Sequence, residues 1–482
     1  MAARRGHRDG WTVAAVALAV RLLVVGWAWG RFPPTADGTY YHQLASRLAA
    51  GQGYTWLWPD GAVTYAAHYP VGYPGAVAAV YRLFGPMPEL AMVLNALVGA
   101  LGAVAIHQLV AGFGRRRLAL VGGLAVAFHP GLVGYTPALM TEGVAASLVA
   151  CAAWGAAAVR ATATGRRRWL LLVLCGLLLG VATLVRPQCL LLAPLLGAVA
   201  WGSRRGLARA LVASAVVTAV ALAVCAPWTA RNCNRMGRCA LVSVNGGWNL
   251  LIGTDPAGKG GWAPLKTPTE CREVFDEAGK DACFERAAWR SIRAAPGPWL
   301  ALVPYKLSVT FDYCGAPGWY LHEANPQAFG PKAKLALGVA ETVYERLVLL
   351  LAALALWPRR IGPGRRRGWR GWRGWRGWRG WSVRALVVLA VGLALSRHGW
   401  LAHGAVTAAL CLRRPAMLRA PPLYGAVLAS LLTVTAIHAV FFGAGRYQLL
   451  VLPMLCALAA LGVGRCRSHG RDLVRRVRRR SE

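Results

Sequence analysis

Apolar runs of nearly bilayer length constrain this chain more than any other feature. Trp11–Trp29, Leu207–Trp228 and Tyr447–Gly464 each approach the roughly 20 residues a helix needs to cross the hydrocarbon core. Lipid offers no water to backbone N–H and C=O groups, so a spanning segment must satisfy them internally, as helices and closed barrels do. With 56% of its 482 residues hydrophobic, the chain reads as an all-α polytopic membrane protein. Hydropathy places about twelve spans near residues 11–30, 89–111, 118–135, 138–159, 169–185, 187–202, 207–228, 335–357, 383–396, 399–412, 423–442 and 446–464.

The formal net charge of +37 invites a nucleic-acid reading, but its distribution points elsewhere. The basic clusters Arg115–Arg117, Arg166–Arg168, Arg204–Arg205, Arg359–Arg379, Arg413–Arg419 and Arg465–Arg480 each adjoin an apolar run. That is the positive-inside pattern, and its partners are anionic headgroups rather than nucleic acid. Both termini then fall on the inner side. Arg4, Arg5 and Arg8 ahead of Trp11–Trp29, a run longer than a signal-peptide core, predict an uncleaved anchor.

This topology leaves two large outer segments, residues 31–88 and 229–334. They divide the chain into an N-terminal transmembrane module (1–228) containing the first outer loop, a large outer loop (229–334), C-terminal spans (335–464) and a basic tail (465–482). The C-terminal spans are interrupted by a basic inner loop at 359–381. All six lysines (Lys259, Lys266, Lys280, Lys306, Lys332 and Lys334) fall in the second outer segment, as expected of a folded extramembrane piece. The repeat GWRGWRGWRGWRGW (Gly368–Trp381) is low in complexity and reads as a basic, Trp-rich linker resting on the membrane surface. Five of the twelve cysteines lie in the second outer segment; Cys233 with Cys239 and Cys271 with Cys283 are plausible pairs, leaving Cys314. No His/Cys spacing suggests a zinc site.

The residues that could carry chemistry gather at outer ends of spans. Asp37 follows the first span and reads either as an N-cap for a helix over Gly38–Ala50 or as a proton acceptor just outside the bilayer. Glu142, in PALMTEGVAASLVA, reads as a first-turn acid complementing the helix dipole after Pro137, or as a second acid facing Asp37, with His129 of the neighbouring outer turn joining them. Arg186, in TLVRPQ, and Arg446, beside Tyr447 in FFGAGRYQLL, break the positive-inside pattern. Their planar donor sets suit phosphate oxygens, although snorkelling to ordinary headgroups would also explain them. Lys306, in VPYKLSVTFDY, is a third outer cation. His68, Tyr69 and Tyr73, in AAHYPVGYPGAV, make a rigid aromatic turn suited to a sugar ring or to the membrane interface.

In this order, these pieces resemble the GT-C glycosyltransferases of the group that contains the dolichyl-phosphate-mannose protein mannosyltransferases and the bacterial aminoarabinose transferases of lipid A. The marks are Asp37 after the first span, the YPVGYP turn, TEGVAASL, LVRPQ, the stretch Pro227–Trp262 with its W-x-x-R-N…S-x-N-G-G-x-N-L-x-x-G block, and His438–Leu455. The resemblance implies a GT-C-like bundle with extracytoplasmic loop helices in a bacterial plasma membrane, its site on the outer face. It also implies a polyprenyl-phosphate sugar donor, a lipid, glycan or protein acceptor, and transfer with inversion. Asp37 would activate the acceptor, Arg186 and Arg446 would hold the donor phosphate, and Asn245, Gly246, Gly247 and Asn249 would shape the loop over the site. The lipid phosphate is the leaving group, so no nucleotide or soluble cofactor is implied, and no ligand cluster demands a metal. Many relatives carry a second acid directly after the first; here Gly38 stands in its place, which leaves that role to Glu142 or to no residue. The competing class is a transporter or lipid flippase, which would place its charges near the bilayer midplane and show repeated halves. The candidate charges here sit near span ends, and no internal repeat is evident.

Overall fold

A computed structural model describes residues 2–162, 165–202, 206–312, 314–358, 373–413 and 420–481. The N-terminal half runs through α1 (Ala2–Ala28), α2 (Asp37–Ala49), a hairpin of β1 (Thr55–Leu57) and β2 (Val63–Tyr65), α3 (Gly72–Phe84), α4 (Pro88–Ala111), α5 (Arg116–Ala127), α6 (Pro130–Gly134), α7 (Glu142–Ala161), α8 (Arg166–Val185), α9 (Leu192–Trp201) and α10 (Leu207–Arg235). Outer helices α11 (Gly246–Ile252), α12 (Glu277–Ala294), α13 (Pro296–Ala301), α14 (Val303–Asp312) and α15 (Ala316–Ala324) follow. The chain then continues through α16 (Pro331–Ala355), α17 (Arg373–Ala394), α18 (Gly399–Leu412), α19 (Pro422–Val440) and α20 (Leu452–Ser481).

Six of these helices, α1, α4, α7, α8, α10 and α19, are long and apolar enough to cross a bilayer. The expectation of about twelve rests on runs that the backbone breaks or shortens. Pro130 disfavours helical geometry in the residue before it, so the run 118–135 divides at Phe128–His129 into a 12-residue and a 5-residue helix. The run 187–202 begins as a 3-10 turn, Pro187–Leu191, ahead of the short α9. α16 is 25 residues long but carries Glu341, Glu345 and Arg346 through its middle.

Packing relies on small residues where helices meet, as suits association in lipid. Gly176 and Gly180, one turn apart on α8, face α10 so closely that an added Cβ would lie 2.7 Å from Val220 Cβ and 2.6 Å from Val224 Cβ. α10 also packs on α9, α7 on α4 and α8, α1 on α4, and α16 on α20. α10 overruns its expected end at Trp228 by seven residues, to Arg235. Polar side chains support this extension: Asn232 Nδ2 donates to the carbonyls of Ala240 (3.0 Å) and Val242 (3.2 Å). The Cys233–Cys239 disulfide holds the returning loop against it.

The two outer segments clasp one another. The Glu277 carboxylate, in the first turn of α12, accepts from the backbone N–H of Ala67 (2.6 Å) and His68 (2.9 Å) and from the Trp56 indole. Arg231 donates to the carbonyls of Ala66 (2.8 Å) and Tyr54 (2.9 Å). A second disulfide, Cys271–Cys283, ties α12 to the loop before it. Residues 359–372 of the expected basic linker lie outside the described residues. From Arg373 onward the repeat is helical, because it runs without interruption into the apolar stretch of α17.

Candidate active site

Asp37 does not cap α2. The N-cap is Ala36, at φ 50°, and Asp37 is the first helical residue. Its carboxylate turns away from the helix start because a guanidinium is within reach: Arg446 Nη1 donates to Asp37 Oδ2 at 2.7 Å. The Tyr69 hydroxyl donates to Oδ1 at 3.3 Å. Arg446 also approaches Glu142 through Nε (3.4 Å), and the same Glu142 Oε1 lies 2.7 Å from Arg186 Nη1. The result is a chain of alternating charge, Asp37–Arg446–Glu142–Arg186, drawn from the starts of α2 and α7, the end of α8 and the turn that precedes α20.

Local structure accounts for each position. Glu142 begins α7, where its charge complements the helix dipole. Arg186 sits just past the end of α8, in an extended residue ahead of Pro187, and also donates to Thr141 Oγ1 at 3.0 Å. Arg446 lies in a 3-10 turn, Gly445–Leu450, beside Tyr447. The Tyr447 ring lies under both guanidiniums, 5.1 Å from Arg186 Cζ and 5.3 Å from Arg446 Cζ, inside the range of a cation–π contact. His438 holds that ring from the other side, stacked at 4.3 Å.

Exposure differs between the two ends of the network. The Glu142 side chain is 2% exposed and Arg186 15%, whereas Asp37 and Arg446 keep 29% and 25%. The open end of the network is therefore the pair best placed to meet a ligand. Burial pushes the Asp37 carboxyl upward, but the Arg446 charge and hydrogen bond outweigh it and hold the group below its ordinary 3.8. Asp37 is thus ionised at neutral pH, the state a proton acceptor requires.

Aromatic rings line the approach. Tyr69 stacks on Tyr40 at 5.2 Å and meets Tyr41 edge-on at 5.2 Å. His68 packs against Tyr69 (4.9 Å) and Trp248 (5.3 Å). Burial lowers the His68 imidazole against the pull of Glu277, Asp281 and Asp37, so it is neutral near pH 7.

Gly38 stands where the resemblance read from the sequence leads one to expect a second acid. An added Cβ there would lie 2.5 Å from the Tyr320 hydroxyl oxygen and 3.1 Å from the Leu139 carbonyl. That hydroxyl accepts from the backbone N–H of Thr35 (3.2 Å) and Leu139 (3.3 Å), so it is fixed in place. A second acid does not fit here, and Glu142 is the carboxylate that shares Arg446 with Asp37.

Four of the residues singled out above lie apart from this network. His129 is the N-cap of α6: its Nδ1 accepts from Gly131 N–H at 3.2 Å, which turns the ring inward against Tyr344 of α16 rather than toward Asp37. Lys306 is fully buried and donates to the carbonyls of Val440 (3.0 Å) and Ala439 (3.5 Å) at the end of α19. Burial lowers its ammonium to about 8, and its role is to tie α14 to α19. Tyr73 is 1% exposed, behind Tyr41. Asn245 accepts from Ser243 Oγ (3.0 Å) at the start of α11. Conversely, Glu277, Trp248 and Tyr320 position the site but give no sequence signal, because each acts through a residue distant in the chain. Glu341 and Glu345, buried in α16 with Cys314 donating to Glu345 at 3.0 Å, are a further polar cluster absent from the sequence reading. Among the described residues, no group of three or more His, Cys, Asp or Glu side chains converges on a metal position.

With this geometry in place, the chain can be set beside known proteins. Residues 68–230 match the family model of the dolichyl-phosphate-mannose-protein mannosyltransferases. The resemblance to GT-C glycosyltransferases read from the sequence therefore stands, and the matched region includes His68, Glu142 and Arg186. Asp37 and Arg446 lie outside it. No curated protein matches the chain. Among solved structures, the Archaeoglobus fulgidus oligosaccharyltransferase with a tethered acceptor peptide aligns at a TM-score of 0.48 and 12% identity, covering 95% of this chain and 49% of that one. The same archaeal enzyme, AglB, in complex with an inhibitory peptide and a dolichol-phosphate aligns at 0.47 and 15%, covering 95% and 50%. ArnT from Cupriavidus metallidurans bound to undecaprenyl phosphate aligns at 0.37 and 16%, covering 95% and 78%. The chain thus spans about half the length of the archaeal chains it aligns with.

Proposed function

We propose that this chain is an integral-membrane glycosyltransferase of about twelve spans, which moves a sugar from a polyprenyl-phosphate donor to an acceptor on the outer face of the membrane. The observation that carries the reading is the alternating network Asp37–Arg446–Glu142–Arg186, whose exposed end pairs an ionised carboxylate with a guanidinium. The family match adds a lipid-phosphate sugar as the class of donor.

The chemistry follows from the charges. Asp37 accepts the proton of an acceptor hydroxyl or amine as that atom attacks the anomeric carbon. The bond from the anomeric carbon to the phosphate oxygen breaks on the opposite side, which inverts the configuration and releases polyprenyl phosphate. A guanidinium has five N–H donors, more than the two that Arg446 uses on Asp37 and Glu142, so Arg446 and Arg186 can hold the departing phosphate while staying anchored. Such preorganised cations commonly supply the largest share of rate enhancement. Tyr40, Tyr69 and Trp248 offer aromatic faces to a sugar ring. A transporter would place its functional charges near the bilayer midplane, whereas this network lies at span ends.

Purified protein incubated with a panel of polyprenyl-phosphate sugars and candidate acceptors will release polyprenyl phosphate from at least one of them. Folded protein that releases none, across pentosyl, hexosyl and oligosaccharyl donors, would remove the reading.

A further inference from the structure

A cavity of about 340 Å³ opens in the second outer segment, between the loop that precedes α11, the helices α11 and α12, and the end of α19. That volume is near the low end of the roughly 300–1,000 Å³ of small-ligand pockets. α11 and α12 meet closely beside it because position 247 is glycine: a Cβ there would run into the Asp281 carbonyl. Its polar side chains are Arg238, Ser243, Asp281 and Glu285, and its apolar surface includes Leu250 and the Trp289 indole.

The chemistry of these groups selects among ligands. Arg238 Nη2 already donates to Glu285 Oε2 at 2.9 Å, and both side chains stay exposed. Asp281 Oδ1 accepts from the Trp248 N–H at 2.9 Å. An anionic headgroup would meet two carboxylates against one paired guanidinium, and the described residues gather no metal position. A peptide backbone finds little to pair with. In the loop, the carbonyls of Ala240, Leu241 and Val242 accept from side chains of α10, and the Val244 N–H donates to the Ala67 carbonyl. The backbones of α11 and α12 are satisfied within their helices. What remains is side-chain capacity. A carboxylate has about four acceptor positions, and a guanidinium has more donors than one bond uses. Hydroxyls can use both, and hydrogen bonds to charged groups are stronger than neutral ones. Beside these groups Trp289, 42% exposed, offers an apolar ring face. Donors and acceptors of both signs around an aromatic ring are the complement of a neutral sugar.

Trp248 stands between this cavity and Asp37. Its backbone binds Asp281, whereas its ring packs on His68 at 5.3 Å. His68 packs on Tyr69, whose hydroxyl donates to Asp37. We infer that the cavity receives a neutral sugar ring of the acceptor, so that the acceptor is a glycan whose chain crosses Trp248 and presents its attacking hydroxyl to Asp37. The acceptor role rests on the transfer reading above, whereas sugar binding at the cavity needs neither donor nor turnover.

The purified full chain, in a detergent without a sugar headgroup, is titrated with maltotriose, cellotriose and mannotriose and with the tripeptide Ala-Ser-Ala, and binding is read by saturation-transfer NMR. Wild type binds at least one trisaccharide and not the tripeptide. Trp289→Ala weakens that binding by about tenfold or more, and Trp289→Phe restores most of it. Phe275→Ala removes another exposed aromatic ring of the outer segment and leaves binding within about twofold. In the transfer assay Trp289→Ala raises the KM for a glycan acceptor and leaves the KM for donor unchanged. No trisaccharide bound by wild type, a tripeptide bound as tightly as any sugar, or equal effects of the two alanine variants would each overturn the assignment. Release of polyprenyl phosphate without Trp289-dependent sugar binding removes the role of the cavity alone. Trp289-dependent binding without release from any donor removes the transfer reading and keeps the sugar site.

Discussion

Replacing Asp37 by asparagine removes one negative charge and leaves the side chain's size unchanged. The lost partner is a guanidinium at 2.7 Å, a gross attraction of about 6 kcal/mol at an effective dielectric constant near 20. Desolvation cancels much of that, and both side chains retain a quarter or more of their exposure, so the net cost to stability is about 1–2 kcal/mol. Arg446 keeps Glu142 at 3.4 Å and is not left as an unpaired buried charge. The protein therefore stays folded and inserted. Turnover behaves differently, because the amide cannot accept the acceptor's proton: loss of a positioned base costs about 10²–10⁴-fold, or roughly 3–5 kcal/mol of transition-state stabilisation. The assay is release of polyprenyl phosphate at saturating donor, run beside size-exclusion and thermal-melt checks of the same preparation. An asparagine variant that keeps more than about one-tenth of wild-type turnover refutes the base assignment. The pH profile adds a second arm. Because Arg446 holds the Asp37 carboxyl below 3.8, activity that depends on its ionised form is fully present above that value and falls only as the pH drops through the lowered value. From pH 8 to 5, Asp37 contributes no decline.

Arg446→Met removes the main opposition to burial at Asp37 and leaves only the weaker help of His68 and Tyr69, so the acid limb of the pH–rate profile moves toward neutrality and the KM for donor rises; an unmoved limb would show that Arg446 does not set the Asp37 charge. Gly38→Ala drives a methyl toward Tyr320 and Leu139 and costs about 1–3 kcal/mol in a thermal melt, with turnover falling as α2 shifts; a variant as stable as wild type would place Tyr320 elsewhere. Glu277→Ala frees the backbone N–H groups of Ala67 and His68, which hydrogen exchange at those amides will report as faster opening, accompanied by a higher KM; unchanged exchange would mean the two outer segments are held together by other contacts. Cys271→Ser/Cys283→Ser opens a closure spanning a sequence separation of 12 and lowers stability of the outer segment by about 2–3 kcal/mol, read as loss of protease resistance around α12; full resistance would make that bridge dispensable.

Much of the bundle was legible because lipid leaves a chain few options. Each of the twelve apolar runs holds at least one helix, and errors occur where a local rule competes with hydropathy: Pro130 divides one run, side-chain contacts with the following loop support the extension of α10, and α17 absorbs most of a repeat expected to be a linker. The charges of the candidate site were legible for the same reason. Asp37, Glu142, Arg186 and Arg446 are costly near lipid, and three of them stand against the local sign pattern or at a span end. Their pairing was not legible, since nothing in residues 37 or 142 announces a partner at 446. His129 and Lys306 show the converse: a polar residue in an apolar setting also arises from capping a short helix or from joining two helices, and sequence alone does not separate these uses from catalysis. Glu277 escaped notice because its value lies in two backbone amides some 210 residues earlier.

The contact between Asp37 and Arg446 joins positions 409 residues apart. A growing chain whose spans α1, α4, α7 and α8 are already in the bilayer holds an acid still waiting for its counter-ion, and that wait lasts until the turn ahead of the last helix has left the ribosome. Catalytic competence thus arrives at the close of synthesis, so a prematurely terminated product would be threaded through the membrane yet inert toward any activated lipid it met.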